Sequence, residues 1–197
     1  MWDERFSEPG YAYGTEPNDF LASVADRLPM GRVLCLAEGE GRNAVFLAGL
    51  GYEVTAVDAS TVGLAKAKRL AAERGVAITT VHTDLAEFEI EPAAWRGIVS
   101  IFCHQPPVIR AALHERCLRG LATGGIFVLE AFSPRQLELG TGGPRTPELL
   151  MELDVIRCEL PGLRFEIARE IERPVIEGKY HRGRAAVVQV LAAKTGP

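Results

Sequence analysis

"LCLAEGEGRNAVFLAGLGYEVTAVDAS", residues 34–60, joins an apolar run to a glycine-spaced turn, then a helical stretch, then a second apolar run that closes on an acid. In an open α/β sheet, ligands sit at the carboxyl ends of the strands, and the first strand, turn and helix supply the floor. Gly39 and Gly41 let the backbone approach a ligand. Asp58 follows Gly39 by 19 residues and ends the second apolar run, where a carboxylate can accept hydrogen bonds from both hydroxyls of an adenosine ribose. Yet Glu38 and Glu40 occupy the same turn, where a phosphate-binding loop would exclude negative charge.

Apolar runs rich in β-branched residues recur outward from this stretch, at 33–36, 54–57, 78–81, 98–102, 126–129, more weakly at 165–171, and at 185–191. The first five lack polar alternation, as strands covered on both faces of a parallel sheet do. Helical patterns alternate with them at 43–50, 60–74 and 107–119, and before the first strand Leu21, Val24, Ala25 and Leu28 form a stripe that Pro29 ends. After the fifth strand, "SPRQLELGTGGPRTP" leads into a predicted helix with Thr146 as N-cap, Pro147 at N1 and a stripe of Leu149, Leu153 and Ile156. Two successive strands joined by "EGKYHRGR" read as an antiparallel hairpin. The expected architecture is a Rossmann-like, doubly wound, seven-stranded α/β sheet, mostly parallel, with a C-terminal antiparallel hairpin.

With 197 residues, 47% hydrophobic and 24% charged, the chain is expected to form one globular domain. No apolar run reaches the roughly 20 residues of a membrane span. The first residues, "MWDERFSEPG", lack the layout of a signal peptide, so a cytoplasmic location is expected. A net charge of −4 argues against nucleic acid. Cys35, Cys103, Cys117 and Cys158 are scattered, and are read as buried thiols with no metal role.

"GEGRNA" also fits the G-x-G-x-x-A form of a dinucleotide fingerprint, and charge decides between the two ligands. At roughly 5 Å and an effective dielectric of 20, one carboxylate beside one phosphate charge costs about 3 kcal/mol. S-adenosylmethionine carries no phosphate but has an ammonium and a sulfonium, so acidic residues suit it. The stretch resembles motif I of class I S-adenosylmethionine-dependent methyltransferases, and the whole chain is similar to small tellurite-resistance-type and thiopurine-methyltransferase-like members. The resemblance implies cofactor contacts from Glu38, Gly39, Gly41, Arg42 and Asn43 in the loop, and from Asp58, Ala59 and Ser60 after the second strand. It further implies Asp84 at the adenine amine, the Leu85 backbone at the ring, and Phe102 under the sulfonium. Three positions depart from the family: Cys35 replaces its usual acid, Ala37 its first glycine, and Arg96 and Gly97 stand where an acid is frequent. Glu38 is then either the replacement holding the methionine amino group or a solvated loop carboxylate.

The leader packs Trp2, Phe6, Tyr11 and Tyr13 into a Pro- and Gly-broken segment that forms no core alone. It must lie on something. Residues 1–30 are read as leader and first helix covering the cofactor, 31–131 as the cofactor-binding core, and 132–197 as the substrate-side loop, helix and hairpin. Tyr13 is assigned to the cofactor, where an aromatic face attracts a sulfonium by about 0.5–2 kcal/mol. Tyr11, Arg135 and Arg145 are assigned to the substrate, the arginines being otherwise solvated loop residues. His104 and His181 are the candidate bases for an acceptor that arrives protonated.

These readings converge on methylation of a small molecule, with a thiol, a selenium or tellurium oxyanion, or a small heteroaromatic as acceptor, by a monomer or homodimer. The competing readings are an NAD-dependent oxidoreductase and a noncatalytic S-adenosylmethionine-binding module. The first lacks room for a substrate domain after the fifth strand, and the second rests on Cys35, Ala37 and Arg96.

Overall fold

Residues 33–36 are apolar at every position because both faces of their strand are covered. In β1 (Arg32–Leu36), Val33 and Cys35 enter one core, with Leu21, Val24 and Ala44, while Leu34 and Leu36 enter the opposite one, with Leu113 and Phe127. The computed structural model describes residues 2–196, so Met1 and Pro197 lie outside the described residues. The other strands are β2 (Glu53–Asp58), β3 (Thr79–His82), β4 (Trp95–Ile101), β5 (Leu121–Phe132), β6 (Leu163–Glu177) and β7 (His181–Lys194). They form one seven-stranded sheet in the order β3-β2-β1-β4-β5-β7-β6. β1 to β5 pair in parallel, and β7 inserts antiparallel between β5 and β6. Winding reverses between β1 and β4, which opens a crevice at their carboxyl ends.

Helices cover both faces: α1 (Trp2–Phe6), α2 (Asp19–Val24), α3 (Arg42–Gly49), α4 (Thr61–Glu73), α5 (Pro107–Gly120), α6 (Gln136–Leu139) and α7 (Leu153–Glu159). Local chemistry sets where they start. Ser60 Oγ accepts from the Gly63 N–H at 3.0 Å and Asn18 Oδ1 from the Leu21 N–H at 3.0 Å; each such cap contributes about 1 kcal/mol.

Three expectations change. The helix expected from Thr146 through Ile156 is two pieces, a 3-10 turn at Pro147–Leu149 and then α7, and Thr146 makes no side-chain cap. Leu150 and Met151 are buried in an extended link whose Met151 N–H donates to Phe132 O at 2.9 Å, so docking on β5 overrides the helical spacing. Strands β6 and β7 run far beyond 165–171 and 185–191, because β6 is an edge strand whose charged residues mask its pattern. Cys35, Cys103 and Cys117 are buried, whereas Cys158 is exposed on α7.

The leader lies across the carboxyl ends of the strands. Glu40 Oε2 accepts from the Ala12 N–H at 2.6 Å, and Lys66 Nζ donates to Gly10 O at 2.6 Å and to Glu40 Oε1 at 2.8 Å. Phe6 rests on Gly39, where a Cβ would stand 2.9 Å from Phe6 Cζ.

Gly41 has φ +90°, and a Cβ there would stand 2.5 Å from Ala67 Cβ and 2.7 Å from Ala67 Cα. Gly41→Ala adds left-handed strain to a clash with the α4 backbone, together about 3 kcal/mol. The expected result is a fall in Tm of roughly 6–12 °C, read by thermal denaturation.

Candidate active site

A cavity of about 450 Å³ occupies the crevice, within the range of small-ligand sites. Its floor is the turn from β1 to α3, its sides are the ends of β2 and β4, and the leader and the β6–β7 turn close it. Two non-glycine residues on its wall are left-handed, Ala37 at φ 49° and Phe102 at φ 52°. Such strain, about 1–2 kcal/mol each, collects where a ligand site fixes the backbone.

The two carboxylates of the turn have separate tasks. Glu38 Oε1 accepts from the Asn43 N–H at 2.9 Å and the Ala44 N–H at 2.8 Å, capping α3 from within the turn. Burial pushes its carboxyl up to about 7. Glu40 is neutralised by Lys66 and anchors the leader. Asp58 braces the same turn: Oδ2 accepts from the Gly39 N–H at 2.8 Å and Oδ1 from the Ser60 N–H at 2.8 Å. Each oxygen keeps a lone pair for a ligand hydroxyl. Burial raises the Asp58 carboxyl above its ordinary range.

At the other end the wall is aromatic. His181 lies 4.6 Å from the Tyr13 ring, 4.7 Å from Phe102 and 5.1 Å from Phe132, centroid to centroid. The bare backbone of Gly143 covers Phe132, and that of Gly142 packs against Tyr180 O and the His181 ring. His181 Nδ1 lies 3.3 Å from Glu177 Oε2, and Arg42 Nη2 donates to that same oxygen at 2.7 Å. Arg42 lines the cavity, and its Nη1 is buried without a protein partner among the described residues.

Tyr13, Glu38, Gly39, Arg42, Asn43, Asp58, Ala59, Asp84, Leu85, Phe102, His104 and His181 all line this cavity. Gly41 and Ser60 do not; one shapes the turn against Ala67 and the other caps α4. Tyr11 lies outside it, packed beside Val45 and Leu70 with Arg69 5.5 Å from its ring. Arg135 is drawn to Glu172 at 2.5 Å with its side chain 66% exposed, and Arg145 is exposed on the loop. Neither arginine reaches the cavity. His104 reaches it with both nitrogens engaged: Nδ1 to Leu149 O at 2.8 Å, Nε2 accepting from the Phe132 N–H at 3.4 Å. Burial lowers its pKa to about 4, so the ring is neutral, and its two engaged nitrogens leave no free lone pair for an acceptor proton. Sequence reasoning missed Arg5, Phe132 and Glu177. Phe132 ends the fifth strand and was findable by that position; the other two depend on how the leader and hairpin fold back.

The site suits a cationic adenosine derivative and not a dinucleotide. Pyrophosphates bind through the free N–H groups at a helix N-terminus, and here Glu38 occupies those of α3. A protein-family model described as a methyltransferase domain matches residues 33–125. A 2-heptyl-1-hydroxyquinolin-4(1H)-one methyltransferase of Mycobacteroides abscessus is 25% identical over 149 residues, which span 73% of this chain and 66% of that protein. Two solved structures share the fold. One is a SAM-dependent methyltransferase of Methanosarcina mazei, with TM-score 0.73, 15% identity and coverage of 89% and 98% of the two chains. The other is TehB of Haemophilus influenzae, with TM-score 0.70, 19% identity and coverage of 90% and 62%.

Asp58→Ala is expected to weaken S-adenosylhomocysteine binding at least ~30-fold, the loss of about 2 kcal/mol of charge-assisted hydrogen bonding. Calorimetry checks this, and NADH should not displace the bound ligand. A second expectation concerns pH. Glu38 has a folded pKa above its unfolded value, so its contribution to stability is complete below about pH 4.5 and is lost as pH rises through about 7. Glu38→Gln should remove on the order of 1–3 kcal/mol of this pH dependence in denaturant titrations of the ligand-free protein.

Proposed function

We propose that this chain, whose residues 33–125 match a methyltransferase domain, uses S-adenosylmethionine to transfer a methyl group to a small aromatic or heteroaromatic acceptor through a ring-borne oxygen or sulfur. One observation carries this reading: the aromatic chamber of Tyr13, Phe102 and Phe132 around His181, whose Nδ1 is held by Glu177. The M. abscessus relative, named for a hydroxyquinolinone, supports the acceptor class.

When bound, S-adenosylmethionine supplies an already activated methyl group, so the chain's task is to orient two molecules and exclude water. Asp58 takes the ribose hydroxyls. Leu85 offers its backbone to the adenine, held in place by Arg116, whose Nη2 donates to Leu85 O at 2.6 Å. Glu38 keeps the loop in register through α3 and turns its remaining oxygen toward the methionine end. His181 Nε2 receives the proton of an acceptor hydroxyl or thiol, which leaves the oxygen or sulfur lone pair free to attack the methyl carbon. Burial lowers the His181 pKa despite the neighbouring carboxylate, so the ring is neutral and ready at pH 7.

A selenium or tellurium oxyanion is the weaker choice. Arg135 and Arg145 lie away from the cavity, and Arg42 already neutralises Glu177. The noncatalytic reading also loses its footing. Cys35 is fully buried in the sheet, and Ala37 adopts the left-handed turn a glycine would.

His181→Gln is expected to lower kcat about 10²–10⁴-fold for a hydroxylated heteroaromatic, with S-adenosylhomocysteine affinity held within about threefold. A heteroaryl thiol already ionised at the assay pH should lose less than about tenfold. Equal losses for the two acceptors would remove His181 from the role of base.

A further inference from the structure

Glu177 is the last residue of β6 and His181 the first of β7, so the hairpin turn places the carboxylate beneath the imidazole. The turn is tight because the leader lies on it: at Gly178, φ +61°, a Cβ would meet Ala12 O at 2.3 Å. We propose that Glu177 is the positioning residue of the reaction, fixing the tautomer and raising the basicity of His181 while tying it to Arg42 at the cofactor end of the cavity. This assignment rests on reading His181 as the base.

Geometry carries the argument. Glu177 is 5% exposed and held by donors from three directions. Oε2 accepts from Arg42 Nη2 at 2.7 Å and faces His181 Nδ1 at 3.3 Å, while Oε1 accepts from Asn18 Nδ2 at 2.9 Å with Arg173 Nη2 at 3.6 Å. Burial alone would raise its carboxyl, but the His181 hydrogen bond and the Arg42 charge outweigh it and hold it down at about 2. An ionised carboxylate only accepts, so His181 Nδ1 must carry the hydrogen and Nε2 the lone pair. Once Nε2 takes a proton, the imidazolium has its counter-charge already in place.

The other groups near His181 do not replace Glu177. Arg42 from α3 and Arg5 from the leader both oppose a positive ring, Tyr13 is bonded through its hydroxyl to Arg5 at 2.8 Å, and His104 is neutral. Glu177 is the carboxylate that stabilises the protonated form, and the same Oε2 serves Arg42. A displacement of Arg42 by a ligand is therefore felt at His181.

The test uses the full chain with S-adenosylhomocysteine and no acceptor, following the His181 ring nitrogens by ¹⁵N NMR across pH. In Glu177→Gln the His181 pKa should fall by roughly one unit or more, and the fixed Nδ1–H tautomer should give way to a mixture. With an acceptor, kcat/KM should fall about 10–100-fold and its acidic limb should move to lower pH, because the ring then stays neutral further down. A Glu177 that only supports the hairpin would lower activity without moving either. Should Glu177→Gln fail to fold, Glu177→Asp takes its place, the shorter carboxylate giving a smaller fall in the same direction. An unchanged His181 pKa and tautomer in the folded variant overturns the assignment. If both move as expected while wild-type protein methylates no heteroaromatic, the assignment stands and the acceptor reading fails.

Discussion

The backbone N–H groups at the start of α3 must be satisfied, and the chain meets that need from within its own turn. Glu38 reaches forward to the amides of Asn43 and Ala44, while its own N–H donates to Val57 O at 3.1 Å on the neighbouring strand. One residue thus fixes the exit of β1, the entry of α3 and the edge of β2. The position a phosphate would take is filled by a carboxylate of the protein, so a diphosphate would meet negative charge where it needs the Asn43 and Ala44 amides, while Asp58 keeps a lone pair on each oxygen for a ligand hydroxyl. Burial of that carboxylate beside Asp58 also explains why it protonates near neutrality.

A second constraint joins the leader to the far side of the sheet. Asn18 is fully buried; its N–H donates to Asn43 Oδ1 at 2.9 Å, and Nδ2 donates to Glu130 Oε1 at 2.7 Å as well as to Glu177. Glu130, itself fully buried, also accepts from Arg173 Nε at 3.0 Å and Gln189 Nε2 at 2.5 Å. Buried ion pairs contribute little net stability against apolar substitutes, yet losing one partner costs about 3–5 kcal/mol. Their effect here is to specify arrangement: the leader, α3, β5 and β6 meet in one geometry because any other leaves a charge uncompensated. That geometry sets the distance between the Asp58 end of the cavity and His181.

The parallel core was legible in the sequence because strands buried on two faces are apolar at every position, and Asp58 because it ends one of them. Ser60 was legible as the residue before a helical stripe, and its cap on α4 is a local event. What escaped depends on tertiary contact. The stripe of Leu149, Leu153 and Ile156 has helical spacing, but Met151 must extend to reach Phe132 O, and spacing carries no record of that bond. Glu38 and Glu40 are alike in sequence and two residues apart, yet one meets a helix and the other a lysine from α4 and the leader. Arg135 and Arg145 sit in a loop of the right position for substrate, and only the fold shows Glu172 drawing the first of them outward. Arg5 and Glu177 gave no signal, since their importance arises when the first few residues and the last hairpin meet over the crevice.

Charge balance at that meeting point limits the acceptor. Each cation near His181 is already compensated or screened: Arg42 by Glu177, and Arg5 between the Trp2 and Tyr180 rings at 5.2 and 4.9 Å with Tyr13 Oη as its acceptor. An oxyanion entering this chamber would give up water without gaining a free guanidinium fork, and would face the aromatic ring faces, which repel negative charge. A neutral planar ring has the opposite balance. It loses little hydration and, under the proposed function, would pack against Phe102 and Phe132 and become negative only as His181 Nε2 removed its proton. This charge balance supports the proposed acceptor, one that arrives neutral and is ionised in place by a buried, neutral imidazole backed by a carboxylate.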